Sequence, residues 1–196
     1  MILPEIHLEK RVLEEVDLKF TEPTTSMQLA IYVDAAHATD LKTRRSISGL
    51  VATLNGTAIA YKAKWQPTVS TSSTEAEFIT AVSAGKMAKH LRYILDELGV
   101  EQHGPTMIYE DNVAAILMAN AGKPTERSRH IDIQYFALQE WVERNIVKLS
   151  HIPGVANPAD LFTKALGWVL HYRHITRLMG HCGSSYTNTN GKILKG

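Results

Sequence analysis

The sequence predicts an α/β protein, a five-stranded mixed sheet flanked by helices. Three observations carry that reading. The chain opens on a meander of short β-type runs, one closed by Asn55-Gly56. The apolar period then lengthens to steps of three and four from Thr74 onward. Two further strand-like runs, each followed by helical pattern, complete the order βββ-α-β-α-α-β-α.

The elements follow in sequence. "MQLAIYVDA" from Met27 is rich in β-branched and aromatic residues and reads as the first strand. "DLKTRRS" is a polar turn, and "ISGLVATLNGTAIAYKAKW" is two strands around Asn55-Gly56, a dipeptide that tolerates the positive φ of a tight hairpin. From Thr74, a good N-cap residue, Phe78, Ala81, Val82, Gly85, Ala88, Leu91, Leu95 and Leu98 mark an amphipathic helix that Gly99 is placed to end. "PTMIYEDN" is a short buried strand, "NVAAILMANA" a short helix, "GKPTERSRH" a basic loop and "IDIQYFALQEWVERN" a helix. "IVKLSHIP" is the fifth strand. "NPADLFTKAL" reads as a helix with proline in its first turn, and "WVLHYRHITRLMG" as one more helix. The expected division is a linker or arm over residues 1–26, one domain over 27–180 and a disordered tail over 181–196.

Composition removes several function classes. No apolar run approaches the ~18 residues of a membrane helix, and the N-terminal stretch carries scattered acids where a signal peptide is apolar. The single cysteine, Cys182, rules out an internal disulfide and points to a reducing, intracellular compartment. His171, His174 and His181 near Cys182 lack the paired spacing of a zinc site and read as helix residues. The net charge is only +1, but residues 1–23 hold six acids against three bases, which leaves about +4 for the rest. That remainder clusters Lys42, Arg44 and Arg45, then Lys62 and Lys64.

Four acids fall where chemistry is possible. Asp34 ends the first strand and Asp111 the fourth; if those strands are parallel neighbours, their carboxyl ends lie side by side, where open α/β sheets place ligands. Asp160 lies in the first turn of the helix after the fifth strand, and Glu77 one turn into the long helix. Singly, each has a structural alternative as a turn or first-turn acid. Converged, such carboxylates need cations, and hard oxygen donors suit Mg²⁺ or Mn²⁺. Two such ions about 4 Å apart clamp an in-line displacement at phosphorus.

"YVDA…DLKTRRSISGLVATLNGTAIAYKAKWQPTVSTSSTEAEF", "IYEDNVAAI", "SRHIDIQYF" and "HIPGVANPADLFTKAL" together resemble the ribonuclease H domain of copia-type LTR retrotransposon polyproteins. The resemblance runs from residue 27 to about 167, in order. It implies an RNase H-like fold and hydrolysis of the RNA strand of an RNA·DNA hybrid, leaving 5′-phosphate and 3′-hydroxyl ends. It implies two Mg²⁺ ions, replaceable by Mn²⁺: Asp34 bridging both, Glu77 and Asp111 on the ion near the leaving oxygen, and Asp160 on the ion that activates water. Glu77 is favoured over Glu75 because the family's acid opens a segment like "EFITA", and Glu75 points about 200° away around the helix.

The same resemblance suggests substrate contacts. Arg44, Arg45, Lys62 and Lys64 would meet phosphates, while Thr71, Ser72, Ser73 and Asn112 would donate to phosphates or reach ribose 2′-hydroxyls. His37, His130 and His151 are auxiliary candidates; His37 reads equally as a loop residue and His151 as a strand-end residue, while His130 could shuttle protons or cap the helix that follows. Asp132 leans to a structural role. "YVDA" lacks the second acid of the polymerase Y-x-D-D motif, since Ala35 stands there, so the chain is not itself the polymerase. A reverse transcriptase polymerase domain is the expected neighbour, with the acidic leader as the stub of that connection. The rival readings are a silent hybrid- or partner-binding module, and another nuclease of the same superfamily.

Overall fold

A computed structural model of the chain describes residues 27–120, 132–179, 186–187 and 193–194. The arm over residues 1–26 and the basic loop carrying His130 lie outside the described residues. The strands are β1 (Leu29–Ala36), β2 (Ile47–Leu54), β3 (Thr57–Trp65), β4 (Thr106–Glu110) and β5 (Val147–His151). The helices are α1 (Ser73–Glu97), α2 (Val113–Asn120), α3 (Asp132–Glu143) and α4 (Trp168–Leu178). In the segment expected to be a disordered tail, Tyr186–Thr187 and Ile193–Leu194 pair as β6 and β7, a two-stranded ladder separate from the main sheet.

The main sheet is five-stranded and mixed, as the sequence predicts, and its order is β3-β2-β1-β4-β5. β1, β2 and β3 pair antiparallel; β1 with β4 and β4 with β5 pair parallel. The β2–β3 turn is tight because Asn55 and Gly56 take φ of +50° and +86°. Alternation along β1 then separates two cores. Leu29, Ile31 and Val33 face α1 with Leu50, Phe78 and Ile108. Tyr32 faces the other way with Val51, Ala159 and Leu178, under a layer made by residues 154–178. Along α1, Phe78, Ala81, Val82, Ala84 and Ala88 are buried. Gly85 is required there: an added Cβ would sit 2.5 Å from the Trp141 ring.

Two local expectations shift. The α1 N-cap is Ser72, not Thr74. Ser72 is extended, and its Oγ accepts from Glu75 N at 3.1 Å. The Glu75 carboxylate reaches back to Thr71 N (2.7 Å) and Thr71 Oγ1 (2.6 Å). This is the reciprocal Ser-x-x-Glu cap, moved one residue outward. The second shift is "NPADLFTKAL", which forms not an α-helix but a short 3-10 turn, Pro158–Phe162, preceded by another, Gly154–Ala156. Asn157 caps the second through Ala159 N (3.1 Å), and its Nδ2 donates to Val33 O at 2.7 Å. That tie to β1 holds the segment in a tight turn against the sheet rather than letting it wind into a free helix.

A buried polar chain fixes the α1 N-terminus to the sheet. Ser46 Oγ meets Ser70 Oγ (2.8 Å), and Ser70 Oγ donates to Gln66 Oε1 (3.2 Å). Gln66 Nε2 donates to Ser48 Oγ and Ala76 O, both at 2.9 Å, and Ser48 Oγ meets Thr80 Oγ1 at 2.7 Å. These bonds run from β2 through Gln66 to the first turns of α1, so the network specifies one placement of α1. Replacing Gln66 by Ala is expected to cost about 2 kcal/mol of stability in denaturant unfolding, because it strips partners from buried Ser48, Ser70 and the Ala76 carbonyl. A loss within about 0.5 kcal/mol would contradict this role.

Candidate active site

β1 and β4 pair only as far as Tyr32 and Tyr109, then part. Beyond that point the β4-facing backbone groups of β1 need other partners. Asn157 takes Val33 O, and the Glu77 carboxylate accepts from the Ala35 backbone. The crevice so opened receives Asp34 from β1, Glu77 from the first turns of α1 and Asp111 from the end of β4. One carboxylate oxygen from each of these three lies within 4.8 Å of the others. Asp34 and Glu77 are buried and Asp111 is half-buried. Glu77 Oε2 is buried with no hydrogen-bond partner.

Asp160 comes to the same crevice from the second 3-10 turn. Lys164, one turn further on, bridges it to Asp34: Nζ donates to Asp160 Oδ1 at 2.8 Å and to Asp34 Oδ1 at 2.9 Å. Thr163 Oγ1 donates to Asp34 Oδ2. The turn comes this close because residue 49 is glycine; a Cβ there would lie 2.5 Å from Thr163 Cγ2 and 2.9 Å from Phe162 Cβ. Phe162 also stacks on Tyr61 of β3, with ring centroids 5.4 Å apart. On this side α4 closes the layer, its Arg177 donating to the Tyr32 hydroxyl at 3.2 Å.

Comparison with known proteins sharpens what this crevice belongs to. The chain is 36% identical over 135 residues, 69% of its length, to the retrovirus-related Pol polyprotein from transposon TNT 1-94 of Nicotiana tabacum. It is 28% identical over 161 residues to the corresponding polyprotein from transposon RE2 of Arabidopsis thaliana, covering 82% of its length. The chain is a homologue of plant retrotransposon Pol polyproteins. It spans about a tenth of the length of these relatives, 10% and 11%. No protein-family model matches it. The fold is RNase H-like: the N-terminal RNase H domain of a Mycobacterium tuberculosis protein superposes with a TM-score of 0.53 at 13% identity, covering 70% of this chain and 91% of that one.

The acidic centre of this Pol homologue is electrostatically strained. Burial, then the neighbouring Glu110 and Asp34, push the Glu77 carboxyl up to about 10. Burial likewise pushes Glu110 up to about 8, although Asn112 N donates to its Oε1 at 2.9 Å. Asp160 is raised by burial against the opposing pull of Lys164. Lys164 is raised although burial works against its charge, because Asp160 and Asp34 hold the proton. A crevice of acids with an orphaned buried oxygen, already drawing one ammonium between two of them, fits a divalent cation.

Other expected site residues are placed differently. Arg44, Arg45, Lys64 and Ser73 are exposed. Lys62 donates to Ser83 Oγ at 2.8 Å, on the α1 face of the sheet. Thr71 and Ser72 are engaged in the α1 cap, and Asn112 Oδ1 accepts from Ala115 N at 3.1 Å to open α2. His37 Nε2 lies 3.2 Å from Ser70 O, and His151 is exposed at the end of β5. The Asp132 side chain lies outside the described residues. Sequence reasoning passed over Glu110, Asn157, Thr163 and Lys164. His174 is a helix residue as read, on the buried side of α4, with Nε2 unpartnered and its charge disfavoured by burial. Only Lys164 carried a signal, four residues after Asp160.

The raised glutamates set a pH dependence. Folded Glu77 and Glu110 hold protons that the unfolded chain, with its ordinary value of 4.5, releases. Their contribution is therefore complete below that value and is lost as pH rises through about 8 for Glu110 and toward about 10 for Glu77. In chelator, the unfolding midpoint is expected to fall from about pH 5 to about pH 8, and Glu77→Gln is expected to flatten the slope and raise the midpoint at the upper end. A midpoint that climbs over that window would contradict the burial of these acids.

Proposed function

We propose that the chain is the ribonuclease H unit of a retrotransposon polyprotein and cuts the RNA strand of RNA·DNA hybrids, leaving 5′-phosphate and 3′-hydroxyl ends. The observation that carries this is the convergence of Asp34, Glu77 and Asp111, with Asp160 joined to Asp34 through Lys164, at the parting of β1 and β4. Homology to Pol polyproteins and an RNase H-like fold support it.

Two divalent ions, Mg²⁺ or Mn²⁺, would supply Lewis acidity and an activated water for in-line displacement at phosphorus. Asp34 would hold both, Glu77 and Asp111 the one near the leaving oxygen, and Asp160 the one near the water. The protein's part is to fix these carboxylates on rigid elements: Asn157 and Gly49 set the approach of Asp160, and the Gln66 network sets Glu77. Arg44, Arg45 and Lys64 are free to meet phosphates without reading sequence. Ser73 can reach ribose hydroxyls directly, whereas Lys62, Thr71, Ser72 and Asn112 would first leave Ser83, Glu75 and Ala115. His37, His130 and His151 stay as auxiliary candidates. The partner this implies is the polymerase domain that feeds the hybrid to the site. Among the described residues no helix is long and apolar enough to cross a membrane.

A labelled hybrid tests the reading. Cutting of its RNA strand is expected in Mg²⁺ or Mn²⁺, with single-stranded RNA left intact. Asp111→Asn should lower the rate by about 10²-fold or more while the variant unfolds at a similar temperature. A folded protein that binds the hybrid and leaves it whole, with or without the polymerase part, would overturn the enzyme reading in favour of a binding module.

A further inference from the structure

Lys164 Nζ occupies the space between the Asp34 and Asp160 carboxylates. It donates to Oδ1 of both acids, at 2.9 and 2.8 Å. These acids are nearly out of solvent, with side chains 2% and 12% exposed, whereas that of Lys164 is 43% exposed. The ammonium therefore reaches in from the solvent side, on a flexible stem, and can leave by the same path. The chain is built for this reach: Lys164 N donates to Asp160 O at 3.0 Å, so the turn places the two side chains side by side. Thr163, donating to the other oxygen of Asp34, fixes that carboxylate while Lys164 comes or goes.

An ammonium and a divalent ion in contact with the same two oxygens repel each other at close range. We propose that Lys164 is a built-in counter-ion: it holds Asp34 and Asp160 together and must be displaced for a divalent ion to bind between them, so that it sets the ion concentration at which the site loads. This rests on the metal-ion reading of the carboxylates given above. Lys164 stabilises the protein before loading, opposes loading, and keeps the two acids pre-aligned for the ion that replaces it. In linkage terms the ammonium and the ion are negatively coupled ligands of one pair of carboxylates.

The test needs no catalysis. Mn²⁺ is titrated calorimetrically into the wild-type protein and into Lys164→Met and Lys164→Arg, and the unfolding midpoint of each is measured in chelator. Lys164→Met is expected to lower the midpoint in chelator and to reduce the Mn²⁺ concentration at half-saturation about tenfold, within the usual range of coupling between two ligands. Lys164→Arg keeps a cation in reach and should stay near wild type in both. If Lys164→Met does not fold, Lys164→Gln, which keeps donors without the charge, gives the same reading. Equal or weaker Mn²⁺ binding in the charge-free variant would overturn the inference alone. Failure of every variant and of the wild type to bind Mn²⁺ would overturn the metal-ion reading and this inference with it.

Discussion

Carboxylates of like charge do not gather in a buried crevice unless something else holds them there. In this protein the constraint begins with backbone geometry: β1 and β4 run parallel as far as Tyr32 and Tyr109, then separate. Separation leaves Val33 O and the Ala35 backbone without strand partners, and a buried peptide group without a partner costs about 1–3 kcal/mol. Asn157 and Glu77 answer those two demands. The same bonds that satisfy the backbone thus deliver Glu77 and the Asp160 turn to Asp34. Repulsion among the acids is then offset by Lys164, and burial shows in the raised carboxyls of Glu77 and Glu110.

The rest of the fold serves that convergence. The Ser46–Ser70–Gln66–Ser48–Thr80 chain locks the start of α1. Gly49 lets the 3-10 turn lie flat on β2, and Phe162 on Tyr61 keeps it there. Each of these residues belongs to a sequence stretch that also bears an acid or a charged neighbour. The stretch "RRSISG" is therefore a packing device: two serines for the network and a glycine for close approach. "PADLFTKAL" combines a metal-site candidate, an aromatic clamp, a hydroxyl and an ammonium within a few residues.

Much of this was legible before the structure. Asp34 and Asp111 read as strand-end acids that lie side by side if their strands are parallel neighbours; β1 and β4 are parallel neighbours, although Asp34 lies inside β1 rather than at its end. The Asn55-Gly56 hairpin and the period of α1 were equally readable, since each depends on local chemistry. The cap had a local signal too: Ser72 and Glu75 form the Ser-x-x-Glu pattern, although Thr74 also suits a cap. The 3-10 turns at residues 154–162 did not have one. Their shape comes from the bond between Asn157 and Val33, which are 124 residues apart, and no local propensity records such a tie. Lys164 was readable only in part: its spacing from Asp160 is local, but its bond to Asp34 appears only when β1 is brought across the fold to meet it.

We propose that these four carboxylates form a site for two divalent ions. Diffraction from crystals of the protein soaked in Mn²⁺, recorded for anomalous signal, tests it most directly. Two peaks are expected in the crevice about 4 Å apart, one contacting Asp34, Glu77 and Asp111 and the other Asp34 and Asp160, with Lys164 swung toward solvent. No peak in the crevice at saturating Mn²⁺, with Lys164 still bridging Asp34 and Asp160, would contradict it.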